Sequence, residues 1–377
     1  MASATLHPAL ARCGWLPPPG SRVLVALSGG VDSAVAAALL TTAGYEVIAA
    51  TMKTWDEYRD RGEVDPQRAE RGCCSMAAVA DCLAICDVLH LPYHLLDLQE
   101  PFRAAVVTPF IAAYGAGRTP SPCVPCNAEL KFGRLLEEAD RLACAAIATG
   151  HYARRVGDAE PALWRGVDGS RDQAYYLATL RPAALARACF PLGAITKAAT
   201  RALARELKLP VAEKGESREI CFVHDDYRHF LARAGGPGGE PGLMVDTTGR
   251  VVGRHTGIRD YTLGQRRHLG IAAAAPYYVV ALRPATNEVV VGPAACLDHR
   301  KIEVEAMNWL APLPANGHCT AQIRATAPAT AATCEADGDW LRLTFATPVR
   351  APAPGQTVAL FTGDRLLGGG TLARVVE

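Results

Sequence analysis

Residues 23–33, Val-Leu-Val-Ala-Leu-Ser-Gly-Gly-Val-Asp-Ser, constrain this chain more than any other stretch, because they prescribe a strand, a tight turn and a helix in immediate succession. The apolar run from Val23 to Leu27, with two valines, suits a strand covered on both faces in a parallel sheet. Ser28, Gly29 and Gly30 suit the turn, and Val31, Ala34, Val35, Ala38 and Leu39 then recur at helical spacing. A glycine-rich turn that opens a helix gathers unpaired backbone N–H groups at the positive end of the helix dipole, worth about half a unit charge, and so favours phosphate. The loop has neither the Gly-Lys-Ser/Thr ending of the Walker loop nor the Gly-x-Gly-x-x-Gly spacing of dinucleotide folds. It reads as a nucleotide cradle of another kind, against the plain alternative of a strand-to-helix turn without ligand.

The alternation continues downstream. Residues 46–53, 91–97 and 144–149 read as strands, and residues 77–90, 102–114 and 128–142 as helices. Strands alternating with helices predict an α/β fold, a parallel-sheet nucleotide-binding domain with helices on both faces. Ligands of such sheets sit beyond the carboxyl ends of the strands, so the glycine-rich loop, Met52 and Gly150-His151-Tyr152 should converge. A chain of 377 residues, half of them hydrophobic, exceeds what one core accommodates. The predicted division is a flexible tail at 1–21, broken by Pro17-Pro18-Pro19, then the nucleotide domain at 22–225. After the glycine- and proline-rich run 234–242 come a small central domain (226–283) and short alternating strands (284–377) that suggest a C-terminal antiparallel β-barrel.

Thirteen cysteines follow no regular framework, which points to a reducing, cytoplasmic home. No apolar run reaches the roughly 18 residues of a membrane span, so no membrane partner is expected. A net charge of +1 gives no global attraction to nucleic acid, and any RNA must be met by local patches. Arg266, Arg267 and His268, clustered between glycines, suit phosphate contact. Residues 196–209 read as a helix with Arg201, Arg205 and Lys208 outward, an ordinary solvated face, with contact to RNA phosphates as the alternative. In the loop 115–127 three prolines stiffen the segment that carries Cys123 and Cys126, and Asn127 can cap the helix that follows. A thiol near a helix N-terminus has a lowered pKa, which makes Cys126 a nucleophile candidate. The Cys-x-x-Cys spacing alone leaves a zinc half-site, an iron–sulfur half-site, a redox pair and coincidence open. Cys221, flanked by apolar residues, reads equally as a core cysteine. Cys73 and Cys74 follow a polar loop, and adjacent side chains rarely point at one ion.

Ser28-Gly29-Gly30-Val31-Asp32-Ser33 resembles the pyrophosphate loop of enzymes that cut ATP between its α and β phosphates. Together with Met52-Lys53, Gly117-Arg118-Thr119-Pro120 through Cys126-Asn127, residues 148–152, Asp172-Gln173-Ala174-Tyr175, residues 217–222, 261–271 and 354–356, it makes nearly the whole chain similar to the bacterial tRNA-specific 2-thiouridylases. That resemblance implies replacement of the 2-oxygen of the wobble uridine by sulfur, after adenylation of that oxygen by ATP with loss of pyrophosphate. It implies that Ala26, Leu27, Ser28, Gly29, Gly30, Val31, Asp32, Ser33, Met52 and Gly150 bind ATP, with Asp32 near magnesium. Cys126 would be the nucleophile and Cys221 the persulfide carrier, the two pairing as a disulfide after transfer. Ser121, Pro122 and Cys123, with Arg171, Asp172 and Gln173, would lie against the target base, and His151, Arg324 and Gln356 toward the rest of the tRNA. A sulfur-donor protein is a further implied partner. Two residues depart from the family pattern. Cys123 stands where many members carry Asp, and Cys123, Cys126 and Cys221 resemble the iron–sulfur ligands of other tRNA thiolases, which keeps a cluster route as the alternative. His268 stands where glycine is usual, and a local loop adjustment is expected there.

Overall fold

The computed structural model describes residues 7–55, 76–215, 220–223, 226–271 and 275–376. Cys73, Cys74, Ser217, Arg218 and Glu219 lie outside the described residues. The chain divides into two compact units, one of residues 1–105, 123–224 and 364–366, the other of residues 106–122, 225–363 and 367–377.

The first unit carries strands β1 (Arg22–Ala26), β2 (Glu46–Lys53), β3 (Tyr93–Asp97) and β4 (Ala146–Ala148). A hairpin of β5 (Ala153–Val156) and β6 (Ala162–Arg165) follows, and then the short β7 (Ala188–Cys189). The main sheet has the order β3-β2-β1-β4-β7, and every pairing in it is parallel. The Val31–Thr42 helix packs Ala34, Val35, Ala38, Leu39 and Leu40 into one core with Val23 and Val25 of β1. Alanines dominate this helix, so it combines high helix propensity with close approach to the sheet.

Over residues 7–21 the structure corrects the expectation of a loose tail. The segment forms a short helix, Pro8–Ala11, whose Leu10 is fully buried in the same core, as is Cys13 nearby. The Trp15 indole donates to Asp158 (2.9 Å) and lies under the Arg155 guanidinium, and the Tyr45 hydroxyl donates to the Pro17 carbonyl (3.0 Å). Proline stops a helix but does not prevent packing, and the apolar residues around Pro17–Pro19 have a surface to cover. The helix predicted from residue 128 begins at Cys123 and runs to Arg141, with Pro125 in its first turn, where a missing N–H costs nothing. Asn127 therefore lies inside the helix and caps nothing. Its side chain is buried and its Nδ2 donates to the Tyr176 carbonyl (3.1 Å).

The second unit holds two sheets. The smaller has the order β10-β11-β8-β9, from β8 (Gly242–Asp246), β9 (Val251–His255), β10 (Tyr278–Arg283) and β11 (Glu288–Gly292). Its core contains Met244, Ile258, Val279, Val289 and Val291. The predicted boundary at 283/284 is corrected: β10 and β11 are antiparallel partners, and that boundary falls in the turn between them. The other sheet is a six-strand antiparallel barrel of β12 (Asp298–Trp309), β13 (His318–Gln322), β14 (Thr330–Asp337), β15 (Trp340–Arg350), β16 (Thr357–Thr362) and β17 (Arg365–Val376), closed by pairing of β12 with β17. Alternating residues such as Ile302, Val304, Leu341, Leu343 and Phe345 fill it. Among the described residues no helix is long and apolar enough to cross a membrane.

If the N-terminal segment is part of the core, Leu10→Ala should lower the stability of the first unit by about 2–5 kcal/mol. Urea unfolding followed by far-UV circular dichroism measures this, and an unchanged midpoint would restore the tail reading.

Candidate functional site

The glycine-rich loop is fixed at both ends before any ligand arrives. Beyond Ala26, the Leu27 N–H donates to the Ala50 carbonyl (2.8 Å), and the Leu27 carbonyl accepts from Thr51 Oγ1 (2.9 Å). Ser33 Oγ accepts from the Ser28 N–H (3.2 Å), lies 3.2 Å from Ser28 Oγ and donates to the Gly30 carbonyl (3.1 Å). Gly29 turns with φ +67°, and a Cβ there would come within 2.6 Å of the Ala78 carbonyl oxygen. Gly30 precedes Val31 without a side-chain cap, so the first-turn N–H groups of the helix are left for an anion. Gly150, just past β4, comes so close to this turn that a Cβ would lie 2.8 Å from the Ser33 nitrogen. Met52, at the end of β2, is half-buried. The expected convergence at the strand ends is present for the loop and Gly150.

Asp32 opens onto residues the sequence reading missed. Its two carboxylate oxygens accept from Lys197 Nζ at 2.6 and 2.7 Å, and Oδ1 also accepts from the Tyr152 hydroxyl (2.8 Å), which reaches Thr200 Oγ1 at 2.9 Å. Burial, and then the Asp32 charge, hold the Tyr152 hydroxyl well above the ordinary tyrosine pKa, so it stays a donor. Lys214 Nζ donates to the Gly29 carbonyl (2.9 Å) and pairs with Asp81. Lys197 had a legible signal. Thr196 caps the Lys197–Glu206 helix, which places a cation in the first turn, against the dipole, where it requires a carboxylate partner.

Three residues expected against RNA make contacts within the protein. His151 is buried between Phe132 and Phe190 and shares a 2.7 Å hydrogen bond with Thr149 Oγ1. Burial, assisted by Lys131, pushes its pKa well below the usual histidine value, so it is neutral and faces the interior. Asp172 accepts from Arg165 Nη1 (2.5 Å) and from the N–H groups of Gly166 (3.0 Å) and Ala174 (3.2 Å), so its carboxylate shapes the loop. Gln173 Oε1 accepts from the Tyr152 N–H (3.0 Å), while Arg171 is exposed.

The described thiols of the first unit fall into two groups. Cys13, Cys82, Cys86, Cys144 and Cys189 are buried, whereas Cys123 is exposed and Cys126 and Cys221 are half-buried. Burial raises the first group, Cys13 to about 12 and Cys86 to about 11. Cys221 precedes Phe222, whose ring packs against Phe102 and Trp55 at centroid distances of 5.6 and 6.0 Å. Cys126 opens a stretch of π-helix, Cys126–Arg134, whose i→i+5 bonding brings Lys131 round to the Cys126 side of the helix. Among the described residues no three His, Cys, Asp or Glu side chains gather as metal ligands, so Cys123, Cys126 and Cys221 do not form the set that an iron–sulfur cluster requires.

In the second unit, Ser121 and Gln356 meet across 235 positions of sequence. Ser121 Oγ donates to Gln356 Oε1 (3.1 Å), and Gln356 Nε2 donates to the Thr119 carbonyl (3.0 Å). The Thr119 N–H donates to the Pro354 carbonyl (2.7 Å), and Pro122 is buried. Arg324 donates to the Ala351 carbonyl.

Residues 21–225 match the family model described as tRNA methyl transferase HUP domain, residues 228–293 the tRNA methyl transferase PRC-barrel domain, and residues 299–372 the Aminomethyltransferase beta-barrel domain. The tRNA-specific 2-thiouridylase MnmA of Moorella thermoacetica is 44% identical over 361 residues, 94% of this chain and 100% of the relative. The proteins of the same name from Carboxydothermus hydrogenoformans (45% over 360 residues; 94% and 98%) and Chloroflexus aurantiacus (43% over 362 residues; 94% and 99%) are similar to the same extent. Among solved structures, a 4-thiouridine synthetase in complex with RNA and ATP is 16% identical with a TM-score of 0.36, covering 57% of this chain and 50% of that one, a likeness too slight to carry an argument.

The buried neutral His151 makes stability depend on pH. Its folded pKa is lowered, so the unfolded chain takes up a proton near the ordinary value of about 6.5 that the folded chain refuses. Stability should therefore fall as pH drops below about 6.5, by up to about 1.4 kcal/mol per pH unit. His255, also lowered by burial, adds in the same direction. Urea titrations at neutral and acidic pH should show a shallower dependence in His151→Gln than in the wild type, and equal slopes would contradict a neutral buried imidazole.

Proposed function

This chain belongs to the family of tRNA-specific 2-thiouridylases, and we propose that it replaces the 2-oxygen of the wobble uridine of tRNA with sulfur in an ATP-dependent reaction. The uracil 2-oxygen attacks the α-phosphorus of ATP and pyrophosphate leaves, which converts a poor leaving group into AMP. The first-turn N–H groups at Gly30 and Val31, with Ser28 and Ser33, suit the pyrophosphate. Lys197 offers further positive charge beside Asp32. Magnesium, when bound with the nucleotide, would be held by Asp32, since one carboxylate plus substrate phosphates is a usual set, and it would neutralise charge on the leaving group.

The terminal sulfur of a persulfide on Cys221 then attacks C2, and AMP departs with the former base oxygen. The Cys126 thiolate attacks the inner sulfur of Cys221. The S–S bond breaks, its outer sulfur remains on the base, and a Cys126–Cys221 disulfide is left, to be reduced by two electrons from an external thiol reductant. A donor protein reloads Cys221. The observation that carries this reading is the division of the thiols: among the described cysteines of the unit that holds the phosphate loop, Cys123, Cys126 and Cys221 keep access to solvent while the others are buried. A reducing cytoplasm suits free thiols of this kind.

Incubation of unmodified tRNA with magnesium, ATP and a persulfide donor, followed by nucleoside mass spectrometry, tests the proposal. Wild-type protein should yield 2-thiouridine, and Cys126→Ser and Cys221→Ser should lose it by a factor on the order of 10³ or more while keeping tRNA-dependent release of pyrophosphate. Full thiolation by Cys221→Ser would remove the relay. Asp32→Ala should slow AMP formation itself by on the order of 10²-fold.

A further inference from the structure

The reaction above leaves Arg266, Arg267 and His268 unused. With Tyr227, Arg228 and Thr262 they line a cleft of about 430 Å³ in the second unit. The loop that presents them is built rather than slack. The Gly264 N–H donates to the Val279 carbonyl (2.8 Å), and the Val279 N–H returns to the Gln265 carbonyl (2.9 Å), tying the loop to β10. Gln265 spans it from within, accepting from the Thr262 N–H (3.2 Å) and donating to the Arg267 carbonyl (2.9 Å). Leu269 anchors its far end in the core of the small sheet.

The cations of this cleft are not equivalent. Arg228 is already answered, its Nε donating to the Asp260 carbonyl (2.8 Å) and its Nη1 pairing with Asp226 (3.2 Å). Arg266 and Arg267 are exposed, and among the described residues neither meets a carboxylate. Beside them His268 sits at φ +61°, a left-handed conformation that favours glycine, and its imidazole lines the same cleft. A fixed loop that holds two unanswered guanidinium groups and a strained histidine at the mouth of a cleft has the chemistry of a phosphodiester binder, because the guanidinium fork matches phosphate oxygens.

We infer that this cleft grips the sugar–phosphate backbone of the RNA substrate, with Arg266 and Arg267 each in contact with a phosphate. The inference rests on the proposed action on tRNA and adds a contact that positions the RNA without reading its bases. The cleft is open to solvent at all three residues, which suits a polymer passing through more than a small anion enclosed.

Filter binding of unmodified tRNA over about 0.05–0.3 M potassium chloride tests it. Relative to wild type, the Arg266→Ala/Arg267→Ala protein should show a salt slope of log affinity shallower by about 1.4–1.8, and affinity at 0.1 M salt lower by on the order of ten-fold or more. The KM for tRNA in the thiolation assay should rise with kcat unchanged. The Arg266→Lys/Arg267→Lys protein should recover most of the affinity, and Arg250→Ala, elsewhere in the same unit, should change nothing. A double variant that folds, binds tRNA with the wild-type slope and keeps the wild-type KM overturns this inference alone. So does saturation of the cleft by micromolar inorganic phosphate with the tRNA affinity of the double variant unchanged. Wild-type protein without affinity for tRNA overturns both the inference and the function it rests on.

Discussion

The Asp32 carboxylate is the point on which the first unit is assembled. It stands in the first turn of the Val31–Thr42 helix, where a negative charge complements the dipole, and it collects Lys197 from a helix far down the chain and Tyr152 from the segment after β4. Those contacts hold the exits of β1 and β4 together at the same end of the sheet. Gly150 makes the approach sterically feasible, since any side chain there would collide with the Ser33 backbone. The phosphate cradle is thus a consequence of how two strand ends and one later helix are locked. Because the Ser28–Ser33 hydrogen bonds hold the loop shape without a ligand, little ordering remains to be done when an anion binds.

The thiols are placed by a different device. Pro120, Pro122 and Pro125 bring the chain straight into a helix whose first residue is Cys123, and the π-helical stretch beginning at Cys126 widens the helix at that point. Wider turns expose backbone and alter side-chain register, which is why such stretches recur at functional sites. In the other unit the residues before this helix are sewn to the barrel through Ser121 and Gln356, and Arg118 pairs with Glu305 (2.5 Å). The segment before this helix is therefore anchored by hydrogen bonds to residues far along the sequence.

Much of this was legible in the sequence because it depends on local rules. The strand–turn–helix at 23–33, the parallel alternation and the barrel each follow from periodicity, glycine placement and motif order. What was not legible depends on which partner a side chain finds. His151 and Asp172 occupy motif positions, yet one packs between Phe132 and Phe190 and the other holds the Gly166 and Ala174 N–H groups, because burial and pairing are settled by distant residues. The N-terminal segment shows the same limit from the other side, since its prolines read as disorder and its Leu10 finds a core. By itself the sequence determined the order of elements and the position of the glycine-rich loop, both carried by neighbours within a few residues. Only the tertiary structure decided that Lys197 and Tyr152 meet at Asp32, that Ser121 meets Gln356, and that His151 is neutral, because these depend on contacts between residues far apart in the chain.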